Sequence, residues 1–382
     1  MIYLDNAATT GTKPPEVIKA VNRGLKEFSV NPGRGGYERS VKCSEEIYRC
    51  RDKISSFFGA QAPERVIFTS GCTASLNTVI KGIVRPGDHI VISSLEHNSV
   101  VRPAYKLKNM GVELDEAEVI FGDKEATVRS FERLIRKDTR LVVCTHASNV
   151  TGTVLPIKEI GEICAERGVP FCVDAAQTAG ILDINMKVQK IDYLCIAPHK
   201  GLYAPMGIGV LIALGDIPST IFEGGTGSMS SNYSQPVDYP ERFESGTVNV
   251  PGIMGLSSGL DFVQSKTTNV IYEHELGLVS YAFDSLSKIP GIRLYSEYPQ
   301  KGRSVPTLSF NVMGTKSTDV ADYLALKGIA VRAGLHCAPM AHRRIGTLET
   351  GTVRICCSVF NNRKDIDALI EALKNYKLFK KS

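Results

Sequence analysis

A lysine that follows one apolar run and an aspartate that ends another could do chemistry together. Lys200 comes directly after "YLCIAPH" and Asp174 ends "PFCVD", 26 residues earlier (200 − 174). A lysine in an enclosed site has a lowered pKa, because desolvation disfavours the ammonium, and its free amine can form a Schiff base. A pyridoxal phosphate site needs such a lysine and an acidic partner for the pyridine nitrogen. Taken alone, either residue could instead lie at the surface, although the apolar run before Asp174 argues against this.

A glycine-containing turn offers a place for a phosphate. The segment "FTSGCTASLNTVI" (68–80) indicates the end of a strand, a turn and the start of a helix. Backbone N–H groups at a helix start favour an anion, so Cys72 (backbone) and Thr73 (backbone and hydroxyl) are candidates. Many helices begin after such a turn, so this pattern is not specific. His97, in "SLEHNS", could stack on a cofactor ring or be an ordinary polar residue.

One cysteine stands apart from the others in its local sequence. Cys337, in "VRAGLHCAPM" (331–340), follows a glycine and precedes a proline, so we expect it on a loop. A thiolate there could act as a nucleophile. No C-x-x-C occurs, and Cys337 with His342 lacks further metal ligands nearby, so no metal site is expected. The remaining cysteines in apolar strands are expected to be small core residues: Cys144, Cys172, Cys195, Cys356 and Cys357.

Apolar runs that alternate with helical patterns must position these residues. The runs lie at 89–93, 140–146, 170–175, 193–198 and 207–214, and "IKEIGEICAER" has helical periodicity. Runs without polar alternation favour strands covered on both faces, as in a mainly parallel α/β sheet. Ligands of such sheets bind beyond the carboxyl ends of the strands. The polar residues expected there are His97, Asn149, Asp174, His199 and Lys200.

The two ends of the chain have patterns of their own. "PPEVIKAVNRGLKEF" predicts a helix with Val17, Ile18, Val21, Leu25 and Phe28 on one face. Near the C-terminus, "TLSFNV", a helix around 318–328, the strands "IAVRAG" and "TVRICCS" and a closing helix predict a small α+β domain. We expect a large domain at 15–260, with 1–14 and 261–382 forming the small domain that carries the Cys337 loop. The boundary then falls inside a long helix.

Composition excludes several classes of protein. The 382 residues are 43% hydrophobic and 22% charged, which is typical of a globular protein. The net charge is +5 (45 − 40) without a basic block, so no nucleic-acid partner is expected, and the tail "KLFKKS" is expected to be solvated. The start "MIYLDNAATT" is not a signal peptide, and no run approaches the ~18 apolar residues of a membrane span. We therefore expect a cytoplasmic protein with reduced thiols and no membrane contact.

Nine motifs in one order resemble a known family over roughly residues 2–375. They are similar to those of the class V aminotransferases of fold type I and, within them, the cysteine desulfurases. The motifs are "YLDNAATT", "GCTASLN", "EHNS", "SNVTGTVLPI", "VDAAQTAG", "PHKGLYAPMGIGVL", "RFESGTVN", "RAGLHCAP" and "VRICCSVFNN". The resemblance implies a pyridoxal-phosphate-dependent transferase fold of type I. Such a fold has a large domain with a mainly parallel seven-stranded sheet and a smaller C-terminal α+β domain.

The resemblance also implies a role for each residue of the cofactor site. Lys200 is similar to the Schiff-base lysine, Asp174 to the partner of the pyridine nitrogen, and Gln177 to the donor to the ring O3′. His97 is similar to the histidine that stacks on the ring. The remaining cofactor-binding residues that the resemblance implies are Cys72, Thr73, Asn149, His199 and Thr247. Thr247 is similar to a threonine that reaches the neighbouring subunit's phosphate, which implies a homodimer with shared active sites.

For the substrate, the resemblance implies that Asn149 and Arg354 bind its carboxylate, with Arg332 also in contact. Cys337 is similar to the catalytic cysteine, which takes sulfur from L-cysteine as a persulfide and leaves L-alanine; Lys200 and His97 complete the catalytic set. His336 and Arg332 are expected to favour the thiolate.

The 17 residues from Cys337 to Arg354 (354 − 337) leave little room for a long mobile segment that would carry the cysteine. The loop resembles the short "R-x-G-x-H-C" loop of the SUF-type group, which implies a docking protein acceptor that uses the sulfur for iron–sulfur clusters or other cofactors.

Departures from the family pattern leave alternatives open. Ala197 stands where a serine is usual, and Cys72 where a threonine is common, so the phosphate contacts differ. The substrate could be L-selenocysteine, which would make the protein a selenocysteine lyase. The chain could also be another class V aminotransferase or lyase in which Cys337 is incidental. A third possibility is a sulfur-carrier or scaffold protein on a degenerate fold, which would have no need of Lys200, Asp174 and Arg354.

Overall fold

A computed structural model of the chain describes residues 1–33, 35–227 and 231–379; the end of the basic tail (380–382) lies outside these ranges. The helices are α1 (Pro15–Glu27), α2 (Glu38–Phe57), α3 (Cys72–Ile83), α4 (Asn98–Lys108), α5 (Lys124–Leu134), α6 (Ile157–Glu166), α7 (Val250–Lys266), α8 (Thr268–Leu286), α9 (Ser317–Leu326), α10 (Pro339–Arg344) and α11 (Arg363–Phe379). The strands are β1 (Ile2–Tyr3), β2 (Val66–Thr69), β3 (His89–Ser93), β4 (Glu113–Ala117), β5 (Thr139–Thr145), β6 (Phe171–Asp174), β7 (Tyr193–Ile196), β8 (Gly209–Ala213), β9 (Ile292–Leu294), β10 (Thr307–Val312), β11 (Ile329–Ala330), β12 (Arg332–Gly334) and β13 (Thr352–Cys356).

The central sheet has seven strands within these ranges, in the order β2-β8-β7-β6-β5-β3-β4. Strand β8 is antiparallel to both of its neighbours, and the other pairs are parallel. This architecture confirms the predicted α/β fold with a mainly parallel seven-stranded sheet. The edge strand β4, "ELDEA", is not predicted from the sequence, because it contains no apolar run. Its charged residues suit an edge, where one side of the strand faces solvent.

The apolar runs are continuous because both faces of the sheet are covered. In β5, Val142 and Cys144 join a large hydrophobic cluster on one face, whereas Leu141 and Val143 join a second cluster on the other. Successive side chains of a strand point to opposite faces, so a strand buried on both sides has no polar alternation. Helices α2 and α7 belong to the first cluster, and α3 and α4 to the second.

The first helix lies where the sequence predicts it, but only part of its apolar face is covered. Val17 and Phe28 are buried, whereas Ile18 and Leu25 are 54% and 56% exposed. Helix α1 packs on α7 through its side around Gly24, where an added methyl group would lie 2.8 Å from the backbone of α7. Ile18 and Leu25 therefore lie on a part of the helix that the single chain does not cover.

The C-terminal elements form a second set of sheets. Strands β12-β13-β10-β9 make an antiparallel sheet, and β1 pairs in parallel with β11, which ties the N-terminus to the C-terminal part. The predicted single strand "IAVRAG" is two strands in different sheets. The helix expected around residue 260 is α7 followed by α8, which meet at Thr267 with φ +67°. The division into 15–260 and 1–14 with 261–382 stays a prediction.

None of the helices in the described ranges is both long enough and apolar enough to cross a bilayer.

Candidate active site

A cavity of about 240 Å³ opens beyond the carboxyl ends of β3, β5, β6 and β7. The predicted residues are brought together there because the parallel strands end at one edge of the sheet. Among the residues that line it are Cys72, Thr73, His97, Asn149, Asp174, Gln177, His199, Lys200, Arg332 and Arg354. Two predicted residues, Thr247 and Cys337, do not line this cavity.

Lys200 and Asp174 share the cavity without forming an ion pair. Burial lowers the pKa of Lys200, and the nearby Asp174 carboxylate opposes that shift only in part. Burial also raises the pKa of Asp174, although a hydrogen bond from the backbone N–H of Ala176 (2.9 Å) and the charge of Lys200 pull it down. The Cys72 thiol donates to the same Oδ1 at 3.5 Å, so this side chain is directed at the carboxylate. An amine and a carboxylate that face one cavity without touching suit a planar ring held between them.

The start of α3 forms another wall of the cavity. Its N-cap is Gly71, which offers no side chain to the first N–H groups of the helix, and the Thr73 hydroxyl shares a hydrogen bond with Ser99 (2.7 Å). Gly209 of β8 lies so close that an added methyl group would be 2.3 Å from the backbone of Gly71. On the facing side, His199 Nδ1 bonds the Thr9 hydroxyl at 3.0 Å. An uncapped helix start with hydroxyl and imidazole groups beside it suits a phosphate.

His97 is fixed in orientation as the N-cap of α4. Its Nδ1 accepts the backbone N–H of Ser99 at 3.1 Å, so the ring is held at the cavity wall. Burial, with repulsion from Lys200, lowers the pKa of His97 to about 4, so the ring is neutral at physiological pH. The neighbouring Glu96 is fully buried, and its Oε1 accepts from Ser93 (2.5 Å) and from the Thr145 N–H (2.6 Å). Sequence reasoning did not single out Glu96, although it precedes His97 in the same motif.

Arg354 is 1% exposed and held by two partners. Its Nη1 donates to the Asn149 carbonyl at 3.0 Å, and its Nη2 donates to Asp5 Oδ1 at 2.8 Å. The Asn149 side chain in turn donates to the carbonyl of His336 at 2.8 Å. Asp5 was missed because no local pattern links it to Arg354, 349 residues away. Its place in "YLDNAATT", the first of the nine motifs, was the available signal.

Cys337 lies in a tight turn next to Arg332 and His336, two residues that line this cavity. It is exposed, and both it and His336 have left-handed backbone conformations, with φ +57° and +48°. Its Sγ lies 3.8 Å from Nη2 of Arg332, and its carbonyl accepts the backbone N–H of Asn98 at 2.7 Å. The expected loop position is therefore confirmed, and Arg332 is the cation near the sulfur.

His336 does not support the thiolate by charge. Burial and repulsion from Arg354 lower its pKa to about 2, so the ring is neutral at physiological pH. Its Nε2 is directed at the carbonyl of Thr352, 3.0 Å away. The expectation that His336 favours the thiolate is wrong for this reason, and the residue instead fixes the turn against β13.

Thr247 is exposed and lines a different pocket, away from Lys200. The segment before it is held by Glu244, whose carboxylate binds the Arg51 guanidinium in a bidentate pair (2.9 and 2.6 Å) and accepts the Phe68 N–H (2.6 Å). In the described part of the chain, no cluster of His, Cys, Asp and Glu has the size to hold a metal ion.

Comparisons with known proteins agree on one family. The family model described as Aminotransferase class-V matches residues 2–369. A "Probable cysteine desulfurase" of Methanothermobacter thermautotrophicus is 33% identical over 98% of this chain and 94% of the relative, and another of Halalkalibacterium halodurans is 33% identical over 99% and 93%. Among solved structures, the apo cysteine desulfurase of Thermococcus onnurineus has a TM-score of 0.87 at 31% identity, covering 98% of this chain and 94% of its own. The cysteine desulfurase CsdA of Escherichia coli also has a TM-score of 0.87, at 27% identity over 99% and 94%.

Proposed function

Because the chain belongs to the class V aminotransferase family, we propose that it is a pyridoxal-phosphate-dependent cysteine desulfurase. It takes the sulfur of L-cysteine as a persulfide on Cys337 and releases L-alanine. One observation carries the proposal: the cavity joins Lys200, Asp174 and Arg354, and an exposed thiol lies 3.8 Å from Arg332, which also lines the cavity. The names of the relatives, at about a third identity over nearly the whole chain, support the same reaction.

Pyridoxal phosphate, when bound, withdraws electrons from the substrate carbon next to the amine. We propose that Lys200 holds it as a Schiff base and that Asp174 keeps the pyridine nitrogen protonated. Gln177 and His97 would contact the ring, and the start of α3 with His199 would hold the phosphate. The donor set supports this assignment, because the cavity offers an amine, a buried carboxylate and an uncapped helix start together.

Arg354 and Asn149 bind and orient the substrate carboxylate in this proposal, with Arg332 beside them. The planar guanidinium suits a carboxylate because it can donate two parallel hydrogen bonds. The substrate amine would first displace Lys200 from the cofactor and so free its Nζ. The lowered pKa of Lys200 keeps this amine available as a base, so Nζ would take the proton from the substrate Cα.

The sulfur transfer itself falls to Cys337. Its thiolate attacks the substrate sulfur; the carbon–sulfur bond breaks with its electron pair going to carbon, and a new sulfur–sulfur bond forms. A proton then completes alanine, so one cysteine and one thiol give one alanine and one persulfide. Arg332 stabilises negative charge on the sulfur from 3.8 Å. The exposed turn leaves the persulfide open to a sulfur acceptor.

We also propose a homodimer with shared sites. Thr247 is exposed and does not line the cavity of its own subunit, which supports a contact with a neighbouring subunit's phosphate. The exposed apolar residues Ile18 and Leu25 would find a partner in such an interface. Sedimentation of the purified protein checks this: a monomer at micromolar concentration would contradict it.

The proposed reaction is tested by comparing the wild type with two variants, Cys337→Ala and Lys200→Ala. We expect wild type and Cys337→Ala to carry the yellow cofactor, and only wild type to release sulfide and alanine from L-cysteine with a thiol reductant. Lys200→Ala should lose turnover of every substrate, because the base is gone. Retention of L-selenocysteine turnover by Cys337→Ala would favour a selenocysteine lyase. A yellow wild type that is inert on both substrates but transaminates a keto acid would refute the desulfurase proposal.

A further inference from the structure

Cys337 lines a second pocket, of about 370 Å³, whose cationic residues have no role in the proposed reaction. It lies between α3 and α4, and we call it the basic groove. Its residues are Thr73, Asn77, Lys81, His97, Asn98, Ser99, Arg102, Pro103, Lys106 and Cys337. Three of these are cationic and none is Asp or Glu. Lys200, Asp174 and Arg354 are not part of it, whereas Thr73, His97 and Ser99 line both pockets, so the groove adjoins the proposed substrate site.

The cations of the groove lie on two facing helix surfaces. Asn77 and Lys81 are four residues apart on α3, as are Arg102 and Lys106 on α4, so each pair lies on one side of its helix. Within the described ranges, no hydrogen bond or ion pair to an acid involves the side chains of Lys81, Arg102 or Lys106. By contrast, Lys108 on the same helix lies outside the groove, over the Tyr105 ring. Three cations that converge without acids favour a negatively charged occupant.

A backbone hydrogen bond joins the Cys337 turn to the groove. The Cys337 carbonyl accepts the backbone N–H of Asn98, the first residue of α4, at 2.7 Å. The turn that carries the thiol therefore lies beside the start of α4, and Arg102 and Lys106 follow one and two turns further along the same helix. A molecule that binds in the groove would present its own reactive group to Cys337.

We infer that the basic groove recognises a protein sulfur acceptor whose acceptor cysteine is flanked by carboxylates. The inference rests on the proposed function, and it names the partner of that site. In the transfer, the acceptor thiolate attacks the outer sulfur of the Cys337 persulfide. That sulfur–sulfur bond breaks, an equivalent one forms on the acceptor, and Cys337 leaves as a thiolate, so no external oxidant or reductant is consumed. Opposite charges across the groove speed the encounter and orient the acceptor.

Three synthetic peptides test this inference with the full-length holoenzyme. Each has one cysteine, flanked by Asp and Glu, by Ser, or by Lys. After loading Cys337 with sulfur from L-cysteine, transfer to each peptide is followed by mass spectrometry. We expect the acidic peptide to react about tenfold faster than the serine peptide, and the lysine peptide more slowly than both, with the preference lost at high salt.

Two variants and one control assign the preference to the groove. The first variant replaces all three cations of the groove (Lys81→Ala/Arg102→Ala/Lys106→Ala). It should lose its preference for the acidic peptide but still turn over L-cysteine with a small uncharged reductant. Arg102→Glu/Lys106→Glu should reverse it in favour of the lysine peptide, a gain that mere loss of folding cannot produce. Lys108→Ala, which removes one charge from α4 outside the groove, should keep the wild-type preference.

The outcomes separate this inference from the proposed function. If wild type makes no alanine from L-cysteine with the reductant, the proposed desulfurase function is wrong. If it does, but the three peptides react equally, or the charge-reversed variant still prefers the acidic peptide, the groove does not select the acceptor and only this inference is overturned.

Discussion

Asp5→Asn removes one charge of the buried pair that holds Arg354. Asn can still accept the hydrogen bond from Nη2, but the guanidinium, 1% exposed, loses its counter-charge at 2.8 Å. Breaking a buried ion pair on one side lowers the free energy of unfolding by roughly 3–5 kcal/mol. Because the Asp5 side chain is 19% exposed and one hydrogen bond survives, we expect the lower end, about 3 kcal/mol.

The expected shift in Tm is this free energy divided by the entropy of unfolding, which is proportional to chain length. At about 2.1 cal/mol/K per residue, the 382 residues have an unfolding entropy near 0.8 kcal/mol/K, so about 3 kcal/mol lowers Tm by roughly 4 °C. Calorimetry of the holoenzyme at neutral pH measures it. Glu273→Gln is the matched control, since it breaks the exposed pair with Lys301 and should leave Tm almost unchanged.

The same variant has an activity readout. Arg354 is our proposed ligand of the substrate carboxylate, and its orientation depends on Asp5 and on the Asn149 carbonyl. We expect Asp5→Asn to raise KM for L-cysteine severalfold with a smaller effect on kcat, as for loss of binding shared by ground and transition states. An unchanged Tm would refute the stability estimate. A lower KM would show instead that Asp5 competes with the substrate for Arg354.

Three further changes test other parts of the structure. Gly209→Ala places a methyl group 2.3 Å from the backbone of Gly71, so we expect weaker retention of the cofactor, measured as loss of colour on dialysis. Burial raises the pKa of Glu275 to about 8 from 4.5, so its contribution to stability is complete below pH 4.5 and is lost as pH rises to about 8. Glu275→Gln should therefore flatten the fall of the free energy of unfolding between pH 5 and 8, by up to about 1.4 kcal/mol per pH unit in denaturant titrations, whereas an unchanged slope would contradict that pKa. Glu244→Gln leaves Arg51 buried without its counter-charge and should lower the free energy of unfolding by about 3 kcal/mol, checked by denaturant titration.

Much of the fold was predictable because burial on both faces leaves a direct trace in sequence. The strand "HIVIS" has the predicted bounds, and so does "TLSFNV". The edge strand β4 left no such trace, because a half-exposed strand tolerates charges and its apolar content falls. The exposure of Ile18 and Leu25 was equally hidden, since helical periodicity gives an apolar face but not what covers it.

The candidate site divides in the same way. Four of the site residues follow or end predicted strands: Lys200, Asp174, His97 and Asn149. Because the carboxyl ends of parallel strands meet at one edge of the sheet, the sequence by itself determined that these residues share a site. Only the tertiary structure decided that Asp5 holds Arg354, that His336 is neutral, and that Cys337 lies in the basic groove beside Arg332 of the cavity. Local pattern is set by neighbours along the chain, whereas charge pairing, burial and the direction of a thiol are set by residues that meet only after folding.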